Sequence, residues 1–179
     1  RRLARDGAPI KHVVVTGGEP TLEEEELLEL CEGLSADEFH VTIETNATKF
    51  VPVPANLISM SPKLSNSTPP PDLGEISTAH ESRRLDLEVI RKFLRFHGDP
   101  PSKDCQVKFV VERESDLEEI ARIECQVPIP KKKILLMPQS IEPEDLKTKA
   151  AWLEPIARRC GYGFSPRLHI ARYGNRRGV

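Results

Sequence analysis

The sequence predicts an α/β fold built on a mostly parallel sheet. Short β-branched runs alternate with stretches whose apolar residues recur at helical spacing. Two of those stretches follow a Ser/Thr-x-x-Glu pair, the signature of a capping box. The polar segments with glycine, proline and amide side chains fall just after the strands, where ligands gather in parallel sheets. Such alternation requires crossover helices between parallel strands. Its periodicity is the same for an open sheet and for one bent into a partial barrel.

The expected strands are 12–16, 39–45, 57–61, 106–112 and 133–137, with a last apolar alternation around 168–171. Thr21 and Glu24 form the first capping box, before a helix with Leu27, Leu28, Cys31 and Leu34 on one face and Gly33 near its end. Leu85, Val89, Ile90, Phe93 and Phe96 mark a second helix. Ser115 and Glu118 form the second box, ahead of Leu117, Ile120 and Ala121. Leu146, Ala150, Leu153 and Ala157 mark a fourth helix that Pro155 interrupts. The start, from Arg1 to Asp6, reads as the end of an amphipathic helix. The run 65–80 is too long for a tight connector and reads as a lid or a surface loop.

Composition narrows the functional classes. The chain has 179 residues, enough for one domain with a sizeable core, and the expected division is a single domain, 1–179. A formal charge of −2 gives no overall drive toward nucleic acid or anionic membranes. No apolar stretch reaches the length of a membrane span, and no signal peptide is evident, so cytoplasm is the expected compartment. Cys31, Cys105, Cys125 and Cys160 contain no Cys-x-x-Cys and read as buried small hydrophobes.

The most informative segment is Thr16-Gly17-Gly18-Glu19-Pro20, directly after His12-Val13-Val14-Val15. Two glycines let a backbone approach a ligand closely. Glu19 places a carboxylate at the strand mouth, suited to an ammonium group. The same residues also suit an ordinary turn with a solvated glutamate. At the next strand ends come Glu44-Thr45-Asn46, then Ser61-Pro62-Lys63-Leu64-Ser65-Asn66, then Met137-Pro138-Gln139. Lys63 offers a point charge for a carboxylate, or a solvated surface lysine. Thr45 and Gln139 offer hydrogen bonds to a polar heterocycle.

In this order, and with Phe164-Ser165-Pro166-Arg167-Leu168-His169 and the ending Gly174-Asn175-Arg176-Arg177-Gly178-Val179, the sequence resembles the 7-carboxy-7-deazaguanine synthases of the radical S-adenosylmethionine (SAM) superfamily. The resemblance runs along nearly the whole chain. Gly-Gly-Glu-Pro alone marks only the superfamily, and the Ser-Pro-Lys-Leu and Gly-Asn-Arg-Arg-Gly segments narrow it.

The resemblance implies a partial (β/α) barrel, N-terminally truncated. It implies ring contraction of 6-carboxy-5,6,7,8-tetrahydropterin to 7-carboxy-7-deazaguanine with loss of ammonia, on the route to queuosine and other 7-deazapurines. SAM, a [4Fe–4S] cluster that cleaves it and Mg2+ are the implied cofactors. A flavodoxin-type reducing partner and a homodimer are also implied. Gly17, Gly18 and Glu19 would hold the SAM ammonium, and Ser61, Pro62, Lys63, Met137, Pro138 and Gln139 would line the SAM site. Thr45, His169 and the carboxylate of Val179 would contact substrate.

Two departures stand out. Where the family has a SAM-contacting glycine, this chain has Ala47, which fits only if its φ is not positive. The family's three cluster cysteines and its magnesium-binding threonine have no counterpart here, although such a cluster needs thiolate ligands. The expectation is that the chain corresponds to about three-quarters of such an enzyme and does not perform the radical step alone. The alternatives are another radical SAM activating enzyme, a SAM-binding module without a cluster, and an RNA-binding domain using Arg167, Arg172, Arg176 and Arg177. The low aromatic content, 5%, gives the last little stacking surface.

Overall fold

The structure is a computed structural model that describes residues 4–5, 8–97 and 103–174. Ala4–Arg5 (β1) pairs antiparallel with Ala8–Pro9 (β2), so Ala4 and Arg5, expected in a helix end, are strand; the rest of that expected helix end lies outside the described residues. The main sheet has six parallel strands in chain order: His12–Val15 (β3), His40–Thr45 (β4), Leu57–Met60 (β5), Asp104–Val111 (β6), Ile134–Pro138 (β7) and Gly163–Phe164 (β8). Right-handed crossovers that always step the same way put their helices on one face. The connecting helices are Glu24–Ala36 (α1), Glu75–Arg83 (α2), which buries no residue, Leu87–His97 (α3), Glu114–Gln126 (α4) and Pro143–Cys160 (α5), followed by the short Leu168–Tyr173 (α6).

The helix-side face is the core. Cys105, Val107, Phe109 and Val111 of β6 point into it, and all are at most 1% exposed. Leu27 and Cys31 of α1, Ile90 and Phe93 of α3, Ile120 of α4 and Leu153 of α5 pack in the same cluster. A fully buried side chain of this size contributes about 1.5–3 kcal/mol.

The other face of the sheet carries a band of polar residues among apolar ones such as Val110 and Met137. In β6, Gln106, Lys108 and Val110 alternate with the core residues and remain half-buried. His12 Nε2 lies 2.8 Å from the Thr42 hydroxyl, Gln106 Nε2 donates to Ser59 Oγ at 3.0 Å, and Lys108 pairs with Glu44 at 3.1 Å. Central parallel strands are normally apolar on both faces. Polar pairs spanning the edge strand β3 and the central strands β4, β5 and β6 depart from that pattern.

Several sequence expectations are corrected. The alternation near 168–171 is helix α6, and the sixth strand is the two-residue β8, too short to show a period. Thr21 is not a helix cap: Pro20–Leu22 is a 3-10 turn, and α1 begins at Glu24. The Glu19 carboxylate captures both the N–H and the hydroxyl of Thr21. The second box shifts as well. Asp116, not Glu118, reaches back and accepts the N–H groups of Glu112 and Arg113 at 2.7 and 3.1 Å. Helix α5 continues through Pro155, held by buried Leu146, Leu153 and Ala157. The run 65–80 contains turns at Ser65–Ser67 and Pro71–Leu73 and most of α2. Cys31 and Cys105 are buried as expected, but Cys160 is half-buried and Cys125 exposed.

Candidate functional site

The site is built where β3, β4, β5 and β7 end. Gly17 and Gly18 have φ of 96° and 50°, a region that side chains resist. No atom lies within 4 Å of where a Cβ would stand on either glycine. Conformation therefore requires them, and they leave bare backbone beside an open space. Beside Gly18 lies a cleft of about 550 Å³, lined in part by Gly18, Glu19, Thr45, Ser61, Lys63 and Met137; Gly17, expected at the same site, does not line it.

Glu19 is held by four hydrogen bonds. Its Oε1 accepts from the Thr45 hydroxyl at 2.6 Å, the Thr21 hydroxyl at 2.8 Å and the Thr21 N–H at 3.2 Å. Its Oε2 accepts from the Asn46 N–H at 2.6 Å. Each carboxylate oxygen offers about two acceptor positions, so Oε2, with one donor, retains capacity for one more. The half-buried carboxylate thus presents one oriented acceptor to the cleft.

The turn that supplies Asn46 N–H is strained. Ala47 has φ 60° and is fully buried, so the condition under which alanine fits comfortably here is not met. Its N–H donates to Thr45 Oγ1 at 3.0 Å, which compensates in part. Left-handed φ costs an alanine about 1–2 kcal/mol. Replacement by glycine relieves this but loses a buried methyl and raises unfolded-chain entropy. Ala47→Gly is therefore expected to stay within about 1 kcal/mol of the parent in urea unfolding. Ala47→Val, β-branched at the same φ, is expected to lose about 2 kcal/mol or more in the same measurement.

Lys63 follows buried Pro62 at the end of β5. Its N–H donates to the Arg84 carbonyl at 3.3 Å, and its carbonyl accepts from Arg84 Nη1 at 2.9 Å. Arg84 is anchored to Glu119 at 2.7 Å and to Glu81 at 2.6 Å. The Lys63 residue is exposed overall, but desolvation of its ammonium, with Lys108 and Arg167 nearby, pulls its pKa down against the opposing effect of Glu19. Cation and carboxylate thus share one cleft, as recognition of an amino-acid group requires.

Of the remaining expected site residues, Ser61 and Met137 line the cleft, and Pro62, Pro138 and Gln139 do not. Ser61 N–H donates to the Thr45 carbonyl at 2.7 Å and joins the ends of β4 and β5. Pro138 is buried within β7. Gln139 donates its N–H to the Val111 carbonyl at 2.8 Å, and its side chain is not among those lining the cleft. His169 contributes backbone to α6, and its side chain lies outside the described atoms. Val179 lies outside the described residues.

Sequence reasoning missed Thr16, Lys108 and Arg167 as site residues and noted Glu44 only as a polar strand end. All four line the cleft. Thr16 Oγ1 donates to Glu44 Oε2 at 3.3 Å, and Arg167 Nη1 donates to the Ser140 carbonyl at 2.9 Å. Gln106 and Lys108 interrupting an apolar β6 were the available signal. Among the described residues no group of three or more His, Cys, Asp or Glu side chains is placed to hold a metal ion. The cleft thus offers a carboxylate, Glu19, and an ammonium, Lys63, while the described residues offer no ligand set for a cluster.

A singly wound open sheet with a Gly-Gly-Glu turn beside its polar band defines a radical SAM-type α/β fold. Among solved structures, the fold resembles QueE from Escherichia coli, with TM-score 0.58 and 25% identity over 88% of this chain and 56% of that one. It also resembles a domain of a pyruvate-formate lyase-activating enzyme from Bacteroides vulgatus, with TM-score 0.52 and 17% identity over 86% of this chain and 97% of that one. Two curated relatives are called 7-carboxy-7-deazaguanine synthase. That of Rhodopirellula baltica is 38% identical over 178 residues, 99% of this chain and 66% of its own length. That of Pyrobaculum aerophilum is 30% identical over 174 residues, 94% of this chain and 68% of its own length. No family model matches the sequence. The chain belongs to the 7-carboxy-7-deazaguanine synthase family. It spans about two thirds of the length of these relatives.

Proposed function

We propose that this chain supplies the SAM-holding part of a 7-carboxy-7-deazaguanine synthase. The reaction would contract the ring of 6-carboxy-5,6,7,8-tetrahydropterin to 7-carboxy-7-deazaguanine with release of ammonia. The observation that carries the reading is the Glu19 carboxylate, clamped by Thr21, Thr45 and Asn46 and facing a cleft that also contains Lys63. Family membership supplies the reaction. In this reading Glu19 takes the methionine ammonium and Lys63 its carboxylate, while the sheet's polar band around Glu44 and Lys108 receives the pterin. SAM held by Glu19 and Lys63 would, on one-electron reduction by the cluster, supply a 5′-deoxyadenosyl radical together with methionine. The [4Fe–4S] cluster, Mg2+, a flavodoxin-type electron donor and a homodimer belong to the same proposal for the whole enzyme.

The reaction is tested by anaerobic conversion of that pterin by the reconstituted protein expressed from its natural gene. The expected products are 7-carboxy-7-deazaguanine and ammonia. SAM binding without this conversion would reject the substrate while retaining the cofactor site.

Glu19→Gln tests the SAM contact separately. An amide has a donor on one side, so it must face either the threonine donors or Asn46 N–H and the ammonium. Loss of a charged hydrogen bond predicts affinity for SAM reduced about tenfold to thirtyfold by calorimetry, with the fold intact. An unchanged affinity would remove Glu19 from the site.

A further inference from the structure

Resting on the reading of the cleft as a SAM site, we infer that Thr45 is the positioning residue that fixes Glu19 for the ammonium. Thr45 is 3% exposed, at the carboxyl end of β4 and beneath the glutamate. Its single hydroxyl proton goes to Glu19 Oε1 at 2.6 Å, the shortest bond that oxygen makes. The same hydroxyl accepts the Ala47 N–H at 3.0 Å. Asn46, between them, gives its N–H to Oε2 at 2.6 Å.

These contacts close a ring that runs from Glu19 through Thr45 to the strained turn and back through Asn46. Oε1 is saturated by three donors, and Oε2 has one, so the remaining acceptor capacity has a fixed direction. The Thr45 hydroxyl also satisfies the Ala47 N–H, which the left-handed turn would otherwise bury unpaired. Thr45 borders the cleft but is almost wholly buried, and its one hydroxyl proton is committed to Glu19, a different role from the substrate contact that the family resemblance implies. The hydroxyl acts on SAM through Glu19.

The test uses Thr45→Val, which keeps the shape and removes the hydroxyl, and Thr45→Ser, which keeps the hydroxyl. Each variant of the 179-residue chain is titrated with S-adenosylhomocysteine, which carries the amino-acid group, and with 5′-methylthioadenosine, which lacks it. Thr45→Val is expected to lose about tenfold or more in affinity for S-adenosylhomocysteine, as for one misplaced charged hydrogen bond. Its affinity for 5′-methylthioadenosine is expected to change less than about twofold, because that ligand makes no use of Glu19. Thr45→Ser is expected to restore S-adenosylhomocysteine binding to within about threefold of wild type. Wild-type affinity in Thr45→Val, no rescue by serine, or equal losses for both ligands would overturn the inference. A wild-type chain that binds neither ligand would instead overturn the SAM-site reading beneath it.

Discussion

Replacing Arg84 by methionine is expected to lower stability by about 3–5 kcal/mol, as for breaking one side of a buried ion pair. The Arg84 and Glu119 side chains are each 10% exposed and 2.7 Å apart. Arg84 also binds both oxygens of Glu81, at 2.6 and 2.8 Å, and the Lys63 carbonyl at 2.9 Å. Methionine fills much of the volume but leaves Glu119 buried, with only the N–H and hydroxyl of Ser65, at 2.9 and 2.7 Å. Because the lost contacts also hold the Lys63 backbone, SAM affinity should fall with stability.

This network has a pH signature. The Glu81 carboxyl is lowered to about 2 by hydrogen bonds from Arg84 and Thr68. Burial pushes the Glu119 carboxyl up, but Ser65 and Arg84 more than offset it and hold it below the ordinary value. For carboxylates lowered in the folded state, the stabilisation is fully present above their unfolded pKa of about 4.3. It is lost as pH falls toward 2. Urea unfolding across this window should show a steep acid loss in wild type and a shallower one in Arg84→Met. Equal slopes would detach Arg84 from the network.

The second large effect comes from His97, at the end of α3. It is fully buried against Phe93 and Phe96, and neither ring nitrogen finds a hydrogen-bond partner among the described residues. Burial, with Lys103 nearby, pushes its pKa down to about 4 from an ordinary 6.5. Between these values the unfolded chain binds the proton that the folded chain refuses. Stability is therefore full above pH 6.5 and falls progressively toward pH 4. The full loss is about 3 kcal/mol. His97→Leu should flatten this limb and stabilise the protein at pH 5, while leaving the lower limb set by Glu81 and Glu119. A variant that keeps the slope between pH 6.5 and 4 would show that another group titrates there.

Much of the framework was legible because it rests on local signals. The β-branched runs of β3, β4 and β6 announce strands, and Gly17-Gly18-Glu19 announces a turn whose positive φ only glycine tolerates comfortably. What stayed hidden is non-local. Glu19 takes hydrogen bonds from Thr45 and Asn46, 26 and 27 residues further on, and nothing in the spacing of either segment indicates that they meet. The same competition explains the misplaced cap at Thr21, whose hydroxyl serves Glu19 instead of a helix end. Lys108 is addressed to the site only through the alternation of β6, and Arg167 only through the return of the chain past β8. Leu168-His169-Ile170-Ala171 shows an alternation too short to separate strand from helix, and Ala47 reads as ordinary until its φ is known.

The most direct measurement is a crystal structure of the chain soaked with SAM. The account predicts one molecule in the cleft, its methionine ammonium within hydrogen-bond distance of Glu19 Oε2 and its carboxylate turned toward Lys63. SAM bound with its ammonium away from Glu19, or a ligand seated outside the cleft while the cleft is accessible, would contradict it.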